Sequence, residues 1–249
     1  MNIQFGTGVL YGLPNAGNMA ANPTPYKFPV LQEASVEFKA DLKKLFGTSQ
    51  FPVAKARGKI DVSCKAKIAA FDPNFINQLY FGQTASAGVT AVAIDEAGTI
   101  PAPSGPYTVT VAQSAHFVTD YGVINKTTGI QMTKVSSGPT TGQYSVSAGV
   151  YTFAAADTGI PVKISYSYTD STSGESITLA NQLMGFAPEF RAFLFSNFRT
   201  KRLGIELFSC TLGQMSIPSK QEDFWMADMT FDASTDATDT LGAIYADLA

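Results

Sequence analysis

The sequence predicts a mainly β protein: an antiparallel β-sandwich or partial barrel with one short helix, carrying a small inserted immunoglobulin-like β-sandwich. Three observations carry this. In residues 58–70, Ile60, Val62, Cys64, Ala66 and Ile68 alternate with Lys59, Asp61, Ser63, Lys65 and Lys67, which is the period of a half-buried antiparallel strand. Between residues 106 and 168, short alternating runs recur, separated by Gly- and Pro-containing turns, as in a small sandwich. Residues 72–82 carry the best helix signals in the sequence, at both ends.

Taken in order, residues 1–29 are rich in Gly, Asn and Pro and predict an extended arm suited to a neighbouring subunit. The run Phe5-Gly6-Thr7-Gly8 lacks the spacing of a phosphate loop, and Pro14 blocks a helix after it. Residues 31–39 form a strand with Ala34, Val36 and Phe38 on one face. Residues 40–57 read as a long basic loop that returns at Phe51-Pro52-Val53. Within it, Asp41 and Gly47 delimit one helical turn. A loop of this length between paired strands carries function, and its composition suggests contact with another molecule. Asp72 caps the one helix, Pro73 suits its first position and Gly82 ends it. Phe75, Ile76, Leu79 and Tyr80 face the sheet.

Residues 83–105 and 169–175 read as linkers around the insert, residues 106–168. Its strands are expected at 107–111, 122–124, 130–132, 143–146, 150–153 and 162–168. The first domain, residues 1–85, then resumes over 175–249. Strands are expected at 176–179, 186–195, 203–212 and 224–231. In the last of these, Trp225, Ala227, Met229 and Phe231 alternate with Asp228, Thr230 and Asp232. Residues 235–249 are small and acidic, predicted to be mobile or ordered by an interface.

The chain has 249 residues, is 45% hydrophobic and only 15% charged, which suits either partner-covered surfaces or a Ser/Thr/Gly-rich β surface. Its net charge of −3 hides an asymmetry. Lys39, Lys43, Lys44, Lys55, Arg57, Lys59, Lys65 and Lys67 crowd the early segment. No basic residue follows Lys220, whereas Glu222, Asp223, Asp228, Asp232, Asp236, Asp239 and Asp247 do. The two segments can attract one another within a subunit or between neighbours. Neither a signal peptide nor an apolar run of membrane-spanning length is read, so synthesis and retention in the cytoplasm are expected.

No enzyme is predicted. The single histidine, His116, has no cysteine near it in sequence, so no zinc site is read. No nucleophile-elbow motif supports His116 as a base. Asp95-Glu96 and Glu222-Asp223 are adjacent acids of the solvated kind, and sequence cannot place two acids across a cleft. Cys64 and Cys210 are expected as free, buried thiols. No metal or cofactor is called for.

Several phrases together resemble the tail tube proteins of tailed bacteriophages: Phe5-Gly6-Thr7-Gly8, Phe28-Pro29-Val30-Leu31-Gln32, Leu45-Phe46-Gly47, Phe51-Pro52-Val53-Ala54, Ala56-Arg57-Gly58 and the strand running to Ile68, then the aromatic 186–195 and Glu222-Asp223-Phe224. The resemblance covers residues 1–85 and 175–240. It implies a virion structural protein whose hexameric rings stack into a conduit for DNA, with no membrane contact. Its partners would be further copies and other tail proteins. Each copy would add strands to a shared barrel, and residues 40–57 would reach the adjacent ring. Lys43, Lys44, Leu45, Phe46, Phe51, Lys55 and Arg57 are the contact candidates. An acidic lumen lets DNA slide, so Asp228 and Asp232 are lumen candidates. Lys65 and Lys67 would put positive charge there, which leaves open which face of 58–70 looks inward. The insert would decorate the exterior. Alternatives are a capsid decoration protein or other virion β protein, a host-surface or carbohydrate-binding module, and a β-rich hydrolase.

Overall fold

The computed structural model describes residues 3–15, 24–101 and 105–247. The protein is mainly β, with antiparallel sheets. Among the described residues, fifteen strands follow one another: β1 (Val9–Pro14), β2 (Tyr26–Lys27), β3 (Leu31–Phe46), β4 (Pro52–Ile68), β5 (Ala85–Thr99), β6 (Thr108–Thr110), β7 (Phe117–Asn125), β8 (Thr133–Lys134), β9 (Gln143–Ser147), β10 (Val150–Phe153), β11 (Pro161–Ile177), β12 (Glu189–Phe198), β13 (Lys201–Ser216), β14 (Ala227–Ser234) and β15 (Gly242–Ala246). One helix, α1 (Pro73–Ile76), continues into a π-helical turn over Asn77–Phe81. The chain divides into two compact units, Met1–Ala85 with Ile177–Ala249, and Ser86–Ser176.

The first unit is one eight-stranded sheet in the order β2-β1-β12-β13-β14-β4-β3, with β15 added beside β13. On β4, Val62, Cys64, Ala66 and Ile68 are buried, as the alternation requires, while Lys65 is exposed. Ala227, Met229 and Phe231 of β14 share that inner face, as do Phe190 and Ala192 of β12. Each of the larger ones, Val62, Ile68, Met229, Phe190 and Phe231, removes enough apolar surface to contribute about 1.5–3 kcal/mol. The helix covers one part of this core. Asp72 caps it, its Oδ1 accepting from the Asn74 and Phe75 N–H groups at 3.0 and 3.4 Å. Phe75 meets Phe28 edge to face, centroids 4.7 Å apart. The turn then widens: Gly82 N–H donates to the Asn77 carbonyl at 2.6 Å. Asn77, fully buried, pairs its side-chain amide with both backbone groups of Gln83, so no polar group is left orphaned.

The second unit is a sandwich. Its four-stranded sheet runs β6-β10-β9-β8, its three-stranded sheet β5-β11-β7. β10 pairs antiparallel with β6 and β9, β11 pairs antiparallel with β7, and the short β8–β9 contact is parallel. Between the sheets lie Val123, Tyr144, Tyr151, Phe153, Ile164 and Tyr166. The carboxylate of Asp120 sits among them, only 3% exposed. Tyr144 Oη donates to its Oδ2 at 2.8 Å, Tyr151 Oη to its Oδ1 at 3.0 Å, and Lys134 Nζ lies 3.0 Å from Oδ2. Glu96 makes a second such centre, accepting from Tyr166 Oη at 2.6 Å and Ala112 N–H at 2.8 Å.

Five expectations are corrected. Residues 40–57 are not a loop with a helical turn: β3 and β4 continue through them as a hairpin, joined only by residues 47–51. The insert extends beyond 106–168, because residues 85–99 form β5 and β11 runs on to Ile177. The segments 83–105 and 169–175 are therefore mostly strand and not linker. Residues 235–249 include β15, held to β13 from Leu203 to Leu207. Within 1–29, β1 pairs with β12 of the same chain over its full length, while residues 1–2 and 16–23 lie outside the described part. Trp225 lies ahead of β14 and is 60% exposed, not on the inner face.

Candidate assembly surface

The candidate site is built from β3 and β4. Where they lie against β14, they belong to the sheet. Among the described residues, from Phe38 and Val62 outward they pair with each other and no other strand, since β14 pairs with β4 over Ser63–Ile68. The hairpin thus leaves the body as a two-stranded arm. A bulge between Ala40 and Leu42 shifts its register, which re-aims the side chains beyond it.

All seven contact residues read from the sequence lie on this arm. Lys43 stands opposite Ala56, Lys44 opposite Lys55, Leu45 opposite Ala54 and Leu42 opposite Arg57. Lys43 Nζ reaches Asp41 at 2.9 Å. At the tip, Phe51 is 80% exposed, and Leu45, Phe46 and Val53 are all more than half exposed. Residues 39–59 carry six cations, Lys39, Lys43, Lys44, Lys55, Arg57 and Lys59, against one anion, Asp41. Two features of the arm disfavour it in isolation. Like charges directly opposite repel, and a lone two-stranded ribbon is marginal in water.

β3 is also an edge strand: among the described residues no strand pairs with its outer side. A sixteen-residue edge is a template for another chain unless it is covered. At the opposite border of the sheet stands β2, only two residues long.

The lumen candidates lie on the outer, polar face of the same sheet. Asp228 stands opposite Lys67, and the two charges are 3.4 Å apart. Asp232 stands opposite Ser63 and is exposed. Register places Glu33, Ser35 and Glu37 of β3 beside Lys67, Lys65 and Ser63 of β4. The patch therefore has four acids, Glu33, Glu37, Asp228 and Asp232, to two lysines. Because Val62, Cys64, Ala66 and Ile68 are consumed by the core, the lysine face of 58–70 is the free one.

Reading the sequence missed an apolar groove of about 460 Å³ lined by Ile68, Phe71, Ile217, Trp225 and Ala227. Its signal was present: Pro218, Ser219, Lys220, Gln221 and Glu222 interrupt any strand pattern, so Trp225 beside them was better read as a loop aromatic. His116 lies on a 3-10 turn beside a small polar hollow with Gln113, Tyr168 and Asp170. Asp170 there is held down to about 2 by the hydroxyl of Ser173 and by Thr172. Among the described residues, no three His, Cys, Asp or Glu side chains gather as metal ligands, and no helix is long and apolar enough to cross a membrane. No protein-family model matches the chain, and no curated protein matches it.

Proposed function

We propose that the chain is a self-assembling structural subunit, a tail tube protein of a tailed bacteriophage, with no catalytic role. Its copies form six-membered rings that stack into a conduit for DNA inside the virion. The arm carries this reading. A ribbon that exposes Phe46, Phe51 and Val53 and sets Lys44 against Lys55 is stabilised by contact with something outside its own chain. The free β3 edge supports the same reading, since ring closure by neighbouring copies satisfies backbone groups that would otherwise invite aggregation.

The polar outer face supplies the lumen. Its acids outnumber its lysines, and Asp228 holds Lys67, so duplex DNA meets net repulsion and few free cations. On this reading the lysine side of 58–70 faces the lumen. The insert has its own closed core and is assigned to the tube exterior.

Two experiments test the reading. Negative-stain micrographs of the purified, concentrated protein are expected to show six-fold rings or tubes; a particle that stays monomeric at every concentration and salt overturns it. Replacing residues 42–57 by a two-residue Asn-Gly turn keeps the Phe38–Val62 pairing and fits hairpin geometry. That variant is expected to melt within a few degrees of the parent and to form no tubes.

A further inference from the structure

The groove at Trp225 has no assigned role. Its floor and walls are apolar, and Phe71 and Trp225 are 55% and 60% exposed. Resting on the assembly reading, we infer that this groove is the receptor for the hairpin tip of a second copy, with Phe51 as the inserted anchor.

Direction is the first argument. The tip lies at the Pro52 end of β4, and Ile68 of the groove lies at the other end of that strand, 17 residues long. At about 3.3 Å per residue the two are separated by up to about 55 Å. Because tip and groove lie at opposite ends of one continuous strand, a tip does not fill the groove of its own chain. It fills another's, and the second copy's tip then points onward to a third. Such a head-to-tail contact repeats without limit, which is what a stacked tube requires, and its axial repeat cannot exceed about 55 Å.

Chemistry is the second argument. Phe51 stands between Phe46 and Val53 at the tip, and an aromatic anchor in a desolvated pocket dominates most interfaces. Charge is the third. The segment 217–225, which supplies Ile217 and Trp225 to the groove, holds Glu222 and Asp223 against Lys220, which lies 3.6 Å from Asp223. The arm is the most cationic stretch of the chain. Glu222 and Asp223, a few residues before Trp225 in the chain, would meet the cations of an inserted arm and relieve the repulsion between Lys44 and Lys55.

The test uses the full chain with Phe51→Cys and Trp225→Cys together. Cys64 and Cys210 are buried and stay silent. Under a mild oxidant, the double variant is expected to give a ladder of disulfide-linked multimers on a non-reducing gel. Each single variant can give dimers at most. Tubes in the micrograph without a ladder overturn the groove assignment and leave the tube reading standing. A parent protein that never assembles overturns both. A second measurement avoids altering the groove itself. Lys55→Glu with Arg57→Glu is expected to raise the concentration needed for assembly at least tenfold, and adding Glu222→Lys with Asp223→Lys to restore it. Failure to restore, with every variant melting like the parent, counts against the inference.

Discussion

Cys64 and Cys210 face one core from β4 and β13, 1% and 0% exposed. Burial pushes both thiols up to about 12, helped at Cys64 by the charge of Asp232 and at Cys210 by Cys64. At pH 8 both are neutral, and a neutral thiol is a poor nucleophile. The folded protein is expected to leave a thiol-exchange reagent unreacted at pH 8, and to titrate two thiols once unfolded in guanidinium. Asp120 is a different kind of buried group. Burial alone would raise its carboxyl, but Lys134, Tyr144, the Gly122 N–H and Tyr151 together hold it below the usual range. A depressed carboxyl contributes stability above its unfolded value, near 3.9, and loses it as pH falls through the folded value. Asp120→Asn is expected to cost the insert about 1–3 kcal/mol at neutral pH. Below pH 4 the variant's stability changes less with pH than the parent's. Hydrogen exchange at Tyr144 and Tyr151 at pH 7 and pH 3 reads both effects. This carboxylate was not legible beforehand: nothing near Asp120 in sequence announces that β9 and β10 bring two tyrosines to it.

At the scale of elements, legibility followed burial. Residues 58–70 and 227–231 alternate because one face is consumed by the core, and the alternation was correctly read as strand. The arm has no core beneath it, so no face is forced to be apolar. Leu42, Leu45 and Phe46 then fall on both faces after the bulge at Ala40, Phe51 lies in the turn, and the period-two signal vanishes. Asp41 and Gly47 met the helix-capping pattern, yet pairing across the ladder prevailed over local propensity. β5 escaped notice for a related reason: Ala85, Ser86, Ala87 and Gly88 are too small to mark a face. The helix was legible because Asp72, Pro73 and Gly82 fix both ends, although its widening into a π turn depends on the buried side chain of Asn77. β15 turns on a single small residue. A Cβ at Gly242 would run into the Glu206 carbonyl oxygen on β13. Gly242→Ala is expected to loosen β15 while leaving the β12–β13–β14 core folded. Limited proteolysis should then trim the chain near residue 241, and in the parent it should not.

The organisation of the whole molecule, one β unit interrupted by another, was read from turn spacing and composition, while its outward charge required the pairing of strands distant in sequence. Lys67 and Asp228 lie far apart along the chain but adjacent on the sheet. Only that register shows that the lysines of β4 share a face with the acids of β14. The lumen assignment therefore stands on the sign of this face, and reversing the sign tests it. Asp228→Lys with Asp232→Lys converts the patch formed with Glu33, Glu37, Lys65 and Lys67 from a formal −2 to +2 per copy, and also frees Lys67. Both positions are exposed, and the Lys67–Asp228 pair, 36% and 54% exposed, contributes less than about 1 kcal/mol. The variant should fold and assemble as the parent does. Duplex DNA added during assembly should co-sediment with variant tubes at 50 mM salt and be released as salt rises, because its retention depends on displaced counterions. Parent tubes should leave that DNA in the supernatant at both salts. Variant tubes that also leave it there would show that this face does not line the conduit, and the polar side of β4 and β14 would then belong to the outer wall.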